Sequence, residues 1–138
     1  MPPATSGYSS TPLFRKLGID DGIVVLPKIA PTEYRSWLEQ LPDDVVFANR
    51  LSVKIDIVHL FTTDRNVLTR ELKKLRTRIR PNAAVWFSWP TKASKVPITV
   101  TEDTIRQVAL PLGFVDIKVC AVSEVWSALK LVIRRGLR

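Results

Sequence analysis

Few residues in this chain can do chemistry, and they lie far apart. There is one histidine, His59, and one cysteine, Cys120. His59 sits near the end of the apolar run Ile55-Asp-Ile-Val-His-Leu-Phe61, a place where open α/β sheets carry functional groups. It reads either as an acid–base group or as a core histidine hydrogen-bonded to a neighbour. Cys120 lies between Val119 and Ala121 and reads as a small buried thiol. A Cys/His dyad would need the two to meet. A single cysteine excludes an internal disulfide, and so few soft ligands exclude a Cys or His-rich metal cage, so no metal is expected. The sequence has no Gly-x4-Gly-Lys-Ser/Thr loop, no Gly-x-Ser-x-Gly elbow and no His-Glu-x-x-His.

The densest group of functional side chains is Trp89-Pro-Thr-Lys-Ala-Ser-Lys95. Lys92 and Lys95 can hold a phosphate or carboxylate, Ser94 can add a hydroxyl and Trp89 a stacking surface. Lys92 is, with His59, a candidate acid–base group. The alternative is a Pro90 corner with Trp89 at the core edge and solvated lysines. A second concentration is the stretch Arg65–Arg80, with seven basic side chains against the one acid Glu71. At helical spacing Arg70, Lys73 and Lys74 oppose a leucine stripe. That face either binds anionic phosphates or is solvated. It has no interleaved aromatics and no reading motif, so base-specific recognition is not indicated.

These residues need a framework, and the patterning supplies one. Ile23–Leu26, Val45–Ala48, Ile55–Phe61 and Ala83–Trp89 read as strands. Tyr34, Trp37, Leu38 and Leu41 recur at i, i+3, i+4 and i+7 after Pro31, which predicts a helix. Leu68, Leu72, Leu75 and Ile79 predict another, capped by Thr63 or Asp64. Ile105, Val108, Ala109 and Leu112 predict a third, capped by Thr99 or Thr101, with Glu102 and Asp103 in its first turn. Phe114–Val122 and Trp126–Arg134 are separated only by Ser123-Glu124-Val125, so they must pair antiparallel. Strand–helix alternation before that pair implies a mainly parallel sheet with helices on both faces.

The chain has 138 residues, 46% of them hydrophobic and 25% charged. That suits one domain over residues 13–138 behind a flexible Pro/Ser/Thr/Gly-rich lead-in, residues 1–12. No apolar run is long enough for a membrane helix and no secretory signal is evident, so a cytoplasmic protein is expected. The net charge of +8 admits an anionic small molecule, an acidic protein or nucleic acid as partner.

Several of these words carry a resemblance. Leu17-Gly-Ile-Asp-Asp-Gly-Ile-Val-Val-Leu26 resembles the lead into the first strand of class I S-adenosylmethionine-dependent methyltransferases. Ile55–Phe61 resembles their fourth strand, Leu75–Phe87 the helix, turn and fifth strand, and Leu112–Asp116 the turn into the closing hairpin. The whole chain also resembles a bacterial family of unknown function. The words that carry this are Thr5-Ser-Gly-Tyr-Ser-Ser-Thr-Pro-Leu13, Phe87-Ser-Trp-Pro-Thr-Lys-Ala-Ser94 and Val119–Lys130. The resemblance implies a Rossmann-like three-layer α/β sandwich with a reduced methyltransferase-type sheet, strand order 2-1-3-4-6-5. It also implies a crevice lined by Pro27, Lys28, Thr62, Thr63 and the Trp89–Lys95 loop.

Departures from the methyltransferase pattern shape the functional expectation. The first strand runs into Pro27-Lys-Ile-Ala-Pro31 rather than an acid and a glycine-rich turn, and the second into Ala48-Asn-Arg50 rather than an acid. One strand–helix unit is missing between Arg50 and Ile55. No cofactor is therefore expected. The leading expectation is a non-catalytic binding or regulatory module, with Lys28, Thr62, Thr63, Trp89, Lys92, Ser94 and Lys95 as ligand contacts. The alternatives are an enzyme with a rebuilt pocket and nonspecific nucleic-acid binding through Arg70, Lys73 and Lys74.

Overall fold

Strands Val24–Lys28 (β1), Val46–Phe47 (β2), Ile57–Phe61 (β3), Ala84–Pro90 (β4), Phe114–Ala121 (β5) and Trp126–Ile133 (β6) form one sheet in the order β2-β1-β3-β4-β6-β5. The structure is a computed structural model that describes residues 11–91, 97 and 99–138. The first four strands are mutually parallel and β6 runs antiparallel to both β4 and β5. This is the order expected from the sequence, and it puts the switch in winding direction between β1 and β3. β3 is central and buried along its whole length.

Two cores lie on the two faces. Arg65–Arg78 (α2) and Glu102–Ala109 (α3) cover one, where Leu68, Leu72 and Leu75 meet Val58, Leu60, Val85 and Phe87. Asp64 caps α2 by accepting from the Asn66 N–H at 2.7 Å, and Thr101 caps α3 by accepting from Thr104 N–H at 3.3 Å. The other face is covered by the short helix Leu13–Lys16 (α1) and the chain that follows β1. Trp86, fully buried there, donates its indole N–H to the Leu17 carbonyl at 2.9 Å, fixing α1 to the sheet.

The helix predicted from Tyr34, Trp37, Leu38 and Leu41 is not formed. The chain makes one 3-10 turn, Tyr34–Trp37, and leaves it at Leu38 (φ −105°, ψ 67°). Ser36 caps that turn locally by donating its hydroxyl to the Glu33 carbonyl at 2.5 Å, a bond that competes with helix continuation. Gln40 then takes a positive φ of 56°, and Pro42 disfavours helix at Leu41. Tyr34 and Leu38 still reach the core, so turns reproduced a spacing that looked helical.

At the N-terminal end of the sheet Asp56 ties three elements together. Its carboxylate accepts the Val24 N–H at 2.7 Å and pairs with Arg80. Burial pushes its pKa up, but the Val24 N–H and the Arg80 guanidinium outweigh that and hold it below the usual value. Among the described residues no helix is long and apolar enough to cross a membrane.

Candidate functional site

Open parallel sheets offer a crevice beyond the C-terminal strand ends at the switch point. Here that place is the end of β1, the end of β3 with Thr62 and Thr63, and the end of β4 with Trp89 and Pro90. Lys28 is the last residue of β1 and points to the α2 face. Its ammonium lies 2.5 Å from the Glu71 carboxylate, with both side chains largely buried (18% and 10% exposed). Glu71 occupies the i+3 position of the buried stripe that begins at Leu68. An acid in an apolar stripe needs a cation, and β1 supplies it across the top of the sheet.

The residue after Lys28 is strained. Ile29 has φ +58° and is 62% exposed. A β-branched side chain in the left-handed region is an outlier costing on the order of 1–3 kcal/mol. Ile29→Gly is expected to raise stability by about 1 kcal/mol, the relieved strain less the added freedom of glycine in the unfolded chain. Urea denaturation reads this directly, and a loss of stability would mean that the exposed side chain is held by contacts.

Thr62 and Thr63 serve the chain's own turn. The Thr62 hydroxyl accepts from Asp64 N–H at 3.1 Å, and its backbone N–H donates to the Ser88 carbonyl at 3.3 Å. The Thr63 carbonyl accepts from Thr99 N–H at 2.9 Å, and Thr99 Oγ1 accepts from Arg65 N–H at 2.8 Å. Beyond β4, Thr91 N–H donates to the Val125 carbonyl at 2.7 Å. Thr91 is thus anchored to the β5–β6 turn and Thr99 to the start of α2. Lys92, Ser94 and Lys95 lie outside the described residues. Trp89 is half-buried on the α2 face, two strands from Lys28. An open cleft of about 430 Å³ lies beside it, lined by Pro90, Thr101, Glu102, Asp103 and Ser127 among others. A cleft of similar volume, between Arg15, Asp20 and Asp21, lies at the other end of β1, away from these strand ends.

On the opposite face the same strand ends carry an aromatic cluster. Phe61 stacks on His59 at 4.3 Å and meets the edges of Tyr34 at 5.4 Å and Trp126 at 5.1 Å, with Trp37 at 6.3 Å. His59 is fully buried. Its Nδ1 is hydrogen-bonded to the Tyr34 hydroxyl at 3.0 Å and its Nε2 to the Ser88 hydroxyl at 2.7 Å. Burial lowers its pKa to about 3 and pushes that of Tyr34 well up. The ring is therefore a neutral bridge, donating through one nitrogen and accepting through the other. Cys120 is half-buried on the edge strand β5, with β4 and β6 between it and β3. Burial raises its pKa, and Lys16 and Lys118 oppose that. The structure thus brings His59 to Tyr34 and Ser88, a bridge that the sequence reading did not draw. The Lys28–Glu71 pair was also missed, although an acid in the leucine stripe was a legible sign of a partner.

The chain superimposes on a S-adenosylmethionine-dependent methyltransferase from Aquifex aeolicus with a TM-score of 0.61 and 13% identity, covering 88% of this chain and 87% of that one. The scaffold is methyltransferase-like. The fibrillarin of Aeropyrum pernix, solved with bound S-adenosyl-L-methionine, aligns with a TM-score of 0.56 and 10% identity over 92% of this chain and 71% of that one. No protein-family model matches the sequence, and no curated protein matches it either. At these identities the methyltransferase-like likeness is one of fold. It matches the strand order, and leaves the chemistry to the residues in place.

Arg70, Lys73 and Lys74 are exposed on α2, on the side away from the sheet. Lys28 meets the inner side of the same helix, at Glu71, so the two basic candidates of the sequence stand on opposite sides of α2.

Proposed function

We propose that this chain is a non-catalytic binding or regulatory module on a methyltransferase-like scaffold, with an anionic small molecule or acidic segment as its ligand at the C-terminal edge of the sheet. The observation that carries this reading is the end of β1. A methyl-donor site on this fold needs backbone that comes close to the cofactor and carboxylates that hold it. The residues present do not fit that need. Ile29 puts a branched side chain at the turn, and the strand ends on the cation Lys28 where a carboxylate would be needed. No acid follows β1 or β2, where Ile29-Ala-Pro31 and Ala48-Asn-Arg50 stand. No step is assigned through that cofactor.

A buried, neutral His59 with both nitrogens occupied supports a structural role for that residue. Lys28 is the cation best placed to meet a ligand anion, because Glu71 holds it at the rim while Ile29 stands exposed beside it. An entering carboxylate or phosphate would share Lys28 with Glu71 and cover Ile29.

Thermal melts with S-adenosylmethionine, S-adenosylhomocysteine, nucleotides and acyl metabolites test the reading. A ligand at one hundred times its Kd should stabilise by about 2.7 kcal/mol. The expected result is no shift with S-adenosylmethionine or S-adenosylhomocysteine and a shift with an anionic compound that Lys28→Met abolishes. A saturable shift with S-adenosylmethionine would sink the proposal.

A further inference from the structure

Arg70, Lys73, Lys74 and Arg78 are exposed along the outer side of α2. Arg134, Arg135 and Arg138 are exposed where the chain leaves β6. The fold joins these two groups through Gly113. Arg134 N–H donates to the Gly113 carbonyl at 2.8 Å, and Arg76 Nε donates to the Leu112 carbonyl at 2.9 Å. A Cβ at Gly113 would meet Leu137 Cδ1 at 2.7 Å and Arg76 Nε at 3.0 Å. The φ of +98° favours glycine here, and over it Arg76 of α2 and Leu137 of the C-terminal turn come together. Arg76 is one helical turn from Lys73, so the basic side of α2 runs into the arginines of the last turn.

Among the described residues none of the seven exposed cations has an ion-pair partner, and the carboxylates of the neighbouring elements are engaged elsewhere. Glu71 faces inward to Lys28, Asp56 pairs with Arg80, and Asp116 pairs with Arg106. The helix is also self-repelling. Arg70 with Lys73, Arg70 with Lys74, and Lys74 with Arg78 are like charges at i,i+3 or i,i+4, each destabilising by a few tenths of a kcal/mol. A helix face evolved only for solubility can alternate its signs at that spacing and avoid the loss.

We infer that this joined surface of α2 and the C-terminal turn binds nucleic acid through its phosphate backbone. A protein partner would call for an apolar centre within the charged rim, and among the described residues the exposed apolar side chain between these cations is Leu137, 45% exposed. Among the described residues no aromatic side chain stands on it for base stacking. Residues 70–78 rise about 12 Å along the helix, which spans about three phosphates of one strand at 3.4 Å each. The surface is distinct from the strand-end site, so its failure and that of the binding-module reading are separate results.

Fluorescence anisotropy with a labelled 25-base-pair DNA duplex and with an RNA hairpin, between 50 and 200 mM salt, tests it. Binding to either supports the inference, and the pair of probes shows which polymer is preferred. With about six phosphate contacts, affinity should fall roughly 10³-fold across that range. The double variant Lys73→Gln/Lys74→Gln should flatten the log–log salt slope by about 1.8, and Arg135→Gln/Arg138→Gln by a similar amount. Circular dichroism melts should show the lysine variant at least as stable as the parent, since repulsion is removed; the arginine variant gives up the Arg138 Nε bond to the Ile133 carbonyl at 2.8 Å, and its melt should fall by no more than the loss of one such bond. The inference is overturned if neither probe binds at 50 mM salt. It is overturned equally if the arginine variant leaves the slope unchanged, or if poly-glutamate at equal charge displaces the probe as well as unlabelled duplex does.

Discussion

Acidification from pH 7 to pH 4 is expected to remove roughly 3 kcal/mol of stability through His59 alone. In the folded chain burial holds its pKa at about 3, while an unfolded histidine titrates near pH 6.5. Between these values the unfolded chain takes up a proton that the native chain refuses. Stability therefore rises with pH through this window and is lost as pH falls from about 6.5 towards 3. Each pH unit in the window is worth about 1.4 kcal/mol. Urea midpoints at pH 7 and pH 4, for the parent and for His59→Gln, separate this from the rest of acid denaturation. Asp56, held low by Val24 and Arg80, also loses its stabilising contribution in acid, but it does so in both proteins. The variant should be less stable at pH 7, because the Tyr34 and Ser88 hydroxyls lose an ideal partner, at about 1–3 kcal/mol for an unsatisfied buried group. It should then lose about 3 kcal/mol less on acidification. Equal losses in the two proteins would show that His59 can be protonated inside the fold, and would reopen it as an acid–base group.

His59 also shows how far the sequence reaches. Its strand was legible because β-branched and aromatic residues run through Ile55–Phe61 without interruption, and such a run is a fully buried strand. The strand order followed from the short β5–β6 connection and from the resemblance, since two strands so close along the chain have only one way to pair. What a strand pattern cannot carry is the partner of a side chain across the sheet. Tyr34, 25 residues upstream, and Ser88, 29 downstream, meet His59 only because β3 lies between β4 and the turn that covers β1. The same holds for Lys28 with Glu71. The false helix at Tyr34–Leu41 is a different kind of miss. Its apolar spacing was right, but Ser36 and Pro42 had already set turn chemistry that outweighs periodicity over so short a stretch. The basic side of α2 was legible from charge spacing, whereas its union with Arg134, Arg135 and Arg138 rests on the bonds that Arg76 and Arg134 make to the Leu112 and Gly113 carbonyls, which no local pattern carries.

Phe61→Ala is expected to cost about 3–5 kcal/mol, the range for truncating a buried phenylalanine. Phe61 is fully buried and touches four rings: Tyr34, Trp37, His59 and Trp126. Those rings come from β3, β6 and the 3-10 turn, so removing the central one unties three elements at once. Edge-to-face pairs add about 0.5–1.5 kcal/mol each beyond area burial, which puts the loss towards the upper end. Phe61→Leu keeps most of the volume and loses the ring geometry, so it should cost less than half as much. Phe61 ends β3 at the switch point, so the space opened by alanine lies beneath the strand ends. An apolar cavity of that kind stays dry and takes up small aromatic molecules. Indole should therefore restore part of the lost stability to Phe61→Ala and leave the parent unchanged, as read by calorimetry. A loss below about 1 kcal/mol for the alanine variant would show that the neighbouring rings close over the gap, and that the aromatic cluster does not fix this end of the sheet.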